Sequence, residues 1–263
     1  MAMAGRSIPI PMPMAGRRAV RVLERNVMVA RHSWLVLLSG FFEPLFYLLG
    51  IGFGLGKVVG DVDGITYAAF VAPALMATSA MNGAIYDSTF NLFYKLKYAR
   101  TYDAMLATPM DAPDVAIGEV IWALTRGLAY AAGFMVFMIL LGLVSTPLAL
   151  LAVPASVLIG FAAAGMGTAA TTFVRSWQDF DLVFVITLPL FLFSATFFPI
   201  TTYPEPLRTL VELTPLYRGV HLLRSLTTDT VDLMCLVDVV YLVVFGVIGM
   251  SITSRRLGKL LLK

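Results

Sequence analysis

Charge is scarce in this chain. Asp, Glu, Lys and Arg together make up 13% of 263 residues, against 59% hydrophobic residues and a mean hydropathy of +0.85. An ordinary soluble domain carries roughly 25% charged residues. So few charges cannot wet the surface of a globule this size, and a soluble enzyme is excluded. Cysteine is nearly missing: Cys235 alone rules out an intrachain disulfide and any cysteine-based zinc site. The only histidines, His32 and His221, fall near opposite membrane faces in the span assignment below, which excludes a His metal site and a Ser-His-Asp triad. There is no phosphate loop either. Gly56-Lys57 would need Gly at 51 and Ser or Thr at 58, where the chain has Ile51 and Val58. No cofactor is therefore expected in this chain. A net charge of +3 is too small to indicate nucleic acid, and no internal repeat points to a transporter built from inverted halves.

What is present is apolar sequence in membrane-sized pieces. Residues 1–16 are Pro- and Met-rich, and Pro9, Pro11 and Pro13 interrupt any signal-peptide core, so a flexible cytoplasmic tail is expected. Over residues 17–33 the helical period puts Val20, Leu23, Val27 and Ala30 on one stripe, continuing to Trp34, with Arg18, Arg21, Arg25 and His32 roughly opposite. A basic amphipathic helix running into a span is expected to lie in the membrane interface. Residues 34–263 then read as one transmembrane domain of six spans: Trp34–Gly56, Tyr67–Leu92, Val115–Val144, Leu148–Val174, Leu182–Phe198 and Leu233–Thr253. Only Ser145, Thr146 and Pro147 separate the third and fourth, predicting a tight hairpin.

Basic residues orient the bundle. Arg6, Arg17, Arg18, Arg21, Arg25 and Arg31, then Lys95, Lys97, Arg100 and Arg175, then Arg255, Arg256, Lys259 and Lys263 all fall on the side of the N-terminus. The other side holds Lys57, Arg208, Arg218 and Arg224, and Arg126 sits within the third span. The positive-inside rule then places both termini in the cytoplasm.

Two connecting stretches carry character of their own. Between spans two and three, Tyr102, Met105 and Leu106 form a short apolar patch at helical spacing, which Pro109 stops. A short cytoplasmic helix with such a face suits a docking element or a helix resting on the membrane. Between Pro199 and Asp232 two short apolar helices, Glu205–Leu213 and Leu216–Leu226, are broken at Thr214-Pro215. Each can dip into the membrane and neither can cross it. Within the spans lie Glu43, Asp87, Glu119, Arg126 and Asp238, either lining a polar route or pairing structurally; Glu119 and Arg126 are too far apart along one helix to pair directly.

Leu106-Ala-Thr-Pro109, the stretch Phe197-Phe-Pro…Tyr-Pro-Glu-Pro-Leu-Arg…Leu-Thr-Pro-Leu before the last span, and the Glu43-Pro44 step resemble the membrane subunits of ABC-2-type exporters, in the branch of nodulation-factor and daunorubicin-type drug exporters. The resemblance runs in order along nearly the whole chain. It implies an all-α, six-span permease in a bacterial cytoplasmic membrane, paired with a second permease chain and two ATPase subunits that hold ATP and Mg. The passenger it implies is an amphipathic drug, lipid or glycolipid, with a polysaccharide or lipid-linked glycan as the alternative; a membrane-embedded lipid-modifying enzyme is the rival from another class. Arg100, Tyr102, Asp103, Met105, Leu106 and Pro109 would form the coupling helix that meets the ATPase. Pro199, Tyr203, Pro204, Pro206, Pro215 and Arg224 would belong to outer re-entrant helices closing the exit. One departure is the run Tyr98-Ala-Arg-Thr-Tyr-Asp103, where the family usually has E-x-G-T-x-E.

Overall fold

A computed structural model describes residues 15–32, 42–99 and 101–261. In chain order these form α1 (Ala15–His32), α2 (Phe42–Val59), a hairpin of β1 (Asp61–Val62) and β2 (Ile65–Thr66), α3 (Tyr67–Lys97), α4 (Thr101–Leu106) and α5 (Ala112–Leu140). There follow α6 (Pro147–Thr171), α7 (Asp181–Phe193), α8 (Glu205–Glu212), α9 (Pro215–Thr228) and α10 (Leu233–Leu261). Five of the described helices, α2, α3, α5, α6 and α10, are long and apolar enough to cross a membrane.

The centre of the bundle is α3. Its first half, Tyr67 to Met81, has no single apolar stripe because it is covered all round: Phe70, Val71, Leu75 and Met76 share a core with Phe134 and Met138 of α5, Ala152 and Ile159 of α6, Leu216 and Leu223 of α9, and Leu242 of α10. Lipid gives no hydrophobic drive for helices to associate, so close packing of small residues must hold them. The contact of α6 with α10 is of that kind. A Cβ on Gly165 would fall 2.5 Å from the Gly246 carbonyl oxygen, and one on Gly249 would strike the Gly165 backbone. One turn on, the Thr168 and Thr253 hydroxyls share a hydrogen bond of 2.9 Å.

Several boundaries differ from the sequence expectation, each for a local reason. α5 stops at Leu140 rather than Val144 because Gly142, at φ +67°, closes a Schellman turn: Leu143 N–H donates to Met138 O and Gly142 N–H to Ile139 O. The connection to α6 is therefore six residues, wider than the three-residue hairpin expected. Between α2 and α3, Asp63 and Gly64 at φ +51° and +80° form the two-residue turn of a hairpin that sequence reading overlooked. The expected fifth span, Leu182–Phe198, holds a helix of only 13 residues, about 20 Å of rise. It ends at Phe193, and the chain from Ser194 to Phe198 is non-helical, with Ala195 at φ +54°.

α1 packs on the bundle, a contact the sequence reading did not anticipate. Ala19, Val22 and Asn26 are buried against α5, where Gly118 leaves room: a Cβ there would lie 2.6 Å from the Val22 Cβ. Val20, Met28 and Val29, by contrast, are exposed. The packed stripe is thus rotated from the one the apolar period suggested, because small residues and one asparagine, not the largest apolar ones, make the helix contact. Val20, on the expected membrane stripe, does face outward.

Candidate functional site

At the end of the bundle carrying Lys95, Arg175 and Arg256, a buried polar cluster ties α1, α3 and α5 together, with α4 packed beside it. Lys95 of α3 donates to Glu119 Oε2 of α5 at 2.6 Å, and Asn26 of α1 donates to the same oxygen at 3.1 Å. Lys95 also reaches Asn26 Oδ1 at 3.3 Å. The Lys95 and Glu119 side chains are only 11% and 7% exposed. Tyr102 of α4 is 1% exposed, packed with Leu92 of α3 and Val115 of α5. Burial first, then the Glu119 carboxylate, holds its phenol pKa well above the ordinary tyrosine value.

This changes the role of the short helix α4. Tyr102 faces inward and fixes α4 to the bundle, so it is not an exposed anchor; Met105 is half-buried beside it. The exposed surface consists of Asp103, Ala104, Ala107, Thr108 and Pro109. Arg100 and the Leu106 side chain lie outside the described residues. Next to α4, Tyr94, Tyr98 and Trp177 form an exposed aromatic shelf, with Tyr98 and Trp177 ring centroids 5.8 Å apart. Trp177 belongs to a short 3-10 turn that Ser176 and Asp179 cap reciprocally. Backbone N–H groups of Arg175 and Ser176 donate to Asp179, and these bonds lower its pKa.

The intramembrane charges sort into pairs and one exception. Arg126 of α5 meets Asp87 of α3 at 3.0 Å, and Glu119 meets Lys95 rather than Arg126. Asp238 of α10, fully buried, accepts from Arg218 at 3.2 Å and pairs with His221 at 2.6 Å. Sequence reading did not see this trio. Its signal was present: an acid in an apolar span needs a partner, and Arg218 and His221 lie three apart on one face of α9. Glu43 is the exception, with no hydrogen bond or ion pair among the described residues.

Glu43, itself exposed, instead lines an open cavity of about 480 Å³ between α2, α3, α5 and α7. Its wall carries Ser79 and Asn82 of α3, Arg126 and Tyr130 of α5, and aromatic side chains from three helices. A second cavity of about 270 Å³, behind α7, is lined almost wholly by apolar side chains of α3, α6, α7 and α10. The two share Ile85, Val183 and Thr187. No group of His, Cys, Asp and Glu able to hold a metal ion occurs among the described residues.

At the opposite end, the two short helices α8 and α9 break where the sequence suggests. Thr214 caps α9 by accepting from Tyr217 N–H, with Pro215 in the first turn; Pro206 likewise starts α8 after Pro204. Pro199 begins a one-turn 3-10 segment, and Tyr203, half-buried, lies near the Phe193 ring at 6.3 Å. Arg224 points inward. Its guanidinium sits over the Phe70 ring at 3.8 Å and donates to the carbonyls of Phe70 and Ala195. It thereby fastens the left-handed residue after α7 to both α3 and α9.

Comparison with known proteins fits this layout. Residues 19–227 match the family described as ABC-2 type transporter. The chain is 31% identical to Nodulation protein J of Rhizobium leguminosarum bv. viciae over 253 residues, covering 94% of this chain and 97% of that protein. It is 33% identical to Nodulation protein J of Sinorhizobium fredii (strain NBRC 101917 / NGR234), covering 80% and 81%. It is also 29% identical to the inner membrane transport permease YadH of Escherichia coli (strain K12), covering 81% and 84%. A multi-pass helical chain, matched along most of its length both by this family and by these relatives, belongs to the ABC-2 type transporter family.

Proposed function

We propose that this chain is the permease subunit of an ATP-driven exporter, with ATP bound and hydrolysed on separate ATPase subunits. Two such ATPases would dock below a pair of permease chains in a bacterial cytoplasmic membrane. The observation that carries the proposal is the seating of α4 on the bundle by Tyr102, packed on Leu92 and Val115 beside the Lys95–Glu119–Asn26 cluster. A short helix so fixed transmits a push instead of yielding to it. Its exposed residues Asp103, Ala104 and Ala107, with the shelf of Tyr98 and Trp177, would receive the ATPase. On this reading α7, together with the turn before it, completes six crossings, both termini are cytoplasmic, and α8 and α9 cover the outer end.

The passenger would be amphipathic, occupying the polar cavity with its head and apolar space with its tail. Ala104→Asp tests the reading, since it alters exposed surface without touching the buried cluster. The ATPase should no longer co-purify, while the variant inserts and migrates as the parent does. Co-purification and ATP-driven export at parental levels would refute the docking assignment. ATP hydrolysis by the purified chain alone would refute the proposal as a whole.

A further inference from the structure

The polar cavity carries information about charge. Its lining contains two ionisable groups with a formal charge at neutral pH, Glu43 and Arg126. Arg126 is neutralised by Asp87 at 3.0 Å, and the Asp87 side chain is 3% exposed, so this pair contributes no net charge. Glu43 has no countercharge among the described residues. Keeping an acid at membrane depth is costly, roughly 2.5–3.5 kcal/mol on insertion scales, and such residues mark functional sites by default.

The surroundings of Glu43 are aromatic. Tyr47 lies one turn along α2 from Glu43, on the same face, and its ring centroid is 5.6 Å from that of Phe191 on α7. Further along the same cavity, Tyr86 and Phe90 stack at 5.5 Å, and Phe184 lies 5.7 Å from Phe90. Aromatic faces attract cations, most strongly where water is excluded. A lone carboxylate among such faces selects against anions and in favour of a cation with an apolar surface. The volume of about 480 Å³ admits a drug-sized molecule.

We infer that the cavity between α2, α3, α5 and α7 binds lipophilic organic cations, with Glu43 as the countercharge and Tyr47 and Phe191 as its aromatic wall. This rests on reading the chain as an export permease and names the passenger class. Ser79 and Asn82, whose side chains make no hydrogen bond among the described residues, would accept or donate to polar substituents of the ligand.

The test uses the purified full chain in lipid nanodiscs and two probes of one shape and opposite charge, tetraphenylphosphonium and tetraphenylborate. Equilibrium binding should be saturable for the phosphonium and absent for the borate. Glu43→Gln should weaken phosphonium binding by about 10- to 100-fold, the Coulomb attraction of two unit charges ~6–10 Å apart at an effective dielectric of about 20. Glu43→Asp should keep it within a few-fold, which shows that the site tolerates substitution and still folds. Equal binding of both probes, no saturable phosphonium binding, or unchanged affinity in Glu43→Gln would overturn the inference. ATPase co-purification, measured on the same preparation, separates the two readings. Cation binding without an ATPase partner would leave the site standing and remove the exporter.

Discussion

Removing the charge of Glu119 should release α1 from the bundle. Glu119→Gln keeps the side-chain shape and the acceptor for Asn26, but leaves the Lys95 ammonium buried without a counter-ion. Breaking one side of a buried ion pair costs about 3–5 kcal/mol, whereas replacing both sides is often close to neutral. Lys95 stands near the helix end and can extend toward water, which favours the lower figure. Val22→Cys, in a Cys235→Ala background, reports the event, because Val22 is 1% exposed and can be labelled only when α1 lifts off. Since each 1.4 kcal/mol is tenfold, Glu119→Gln should speed labelling by roughly a hundred- to several-thousand-fold. Lys95→Met combined with Glu119→Gln should return it most of the way. Acceleration of less than about tenfold in the single variant, or equal rates in single and double variants, would refute the assignment of the pair as the latch of α1.

Other outcomes follow from the same packing. Gly118→Val should open α1 by overpacking against the Val22 Cβ and the Ala19 carbonyl, at a cost of about 1–3 kcal/mol; unchanged labelling of an α1 cysteine would count against the contact. Gly249→Ala meets backbone rather than a movable side chain, so its cost should reach the upper end of that range, about 3 kcal/mol. It should be seen as a lower melting temperature in detergent, and a parental melt would show that α6 and α10 are not so close. In intact cells an impermeant thiol reagent should modify a cysteine at position 202 and spare one at 101; the reverse pattern would invert the membrane orientation. Asp179 has a lowered pKa, so its support of the turn at Trp177 should be complete above the unfolded value of about 3.9 and fade as pH falls through the folded one. Trp177 fluorescence in Asp179→Ala should therefore differ from the parent at neutral pH and converge with it in acid, and a constant difference would disprove the cap.

The long helices were legible because an apolar run of membrane length has few alternative readings: the ends of α3, α6 and α10 on the side before each helix fall at or within one residue of the expected starts. The break before Pro215 was equally plain. Partnerships across helices were not, since they depend on how each helix is rotated about its axis. Glu119 and Arg126 lie on one helix, yet their partners, Lys95 and Asp87, come from another, and Asn26 comes from a third. Tyr102 shows the same difficulty at the coupling segment. An apolar patch facing a partner and one facing the protein's own bundle have one sequence signature, and only the neighbouring Leu92 and Val115 decide between them. The Asp63-Gly64 turn is different: its dipeptide signal was readable and was passed over.

The glycine contact of α6 with α10 has a mechanical consequence. Backbones that touch, pinned by a shared threonine hydrogen bond, have no side-chain layer to shear through. These two helices, with α3 wedged against them, act as a stator. α7, by comparison, buries no residue, and the middle of α2 buries only Leu48 and Gly52. Both are walls of the polar cavity. Changes in its volume must therefore come from these two shutters sliding on a fixed frame. Damage to the frame will lower the amount of protein, while damage to the shutters will leave the amount intact and change the shape of the cavity.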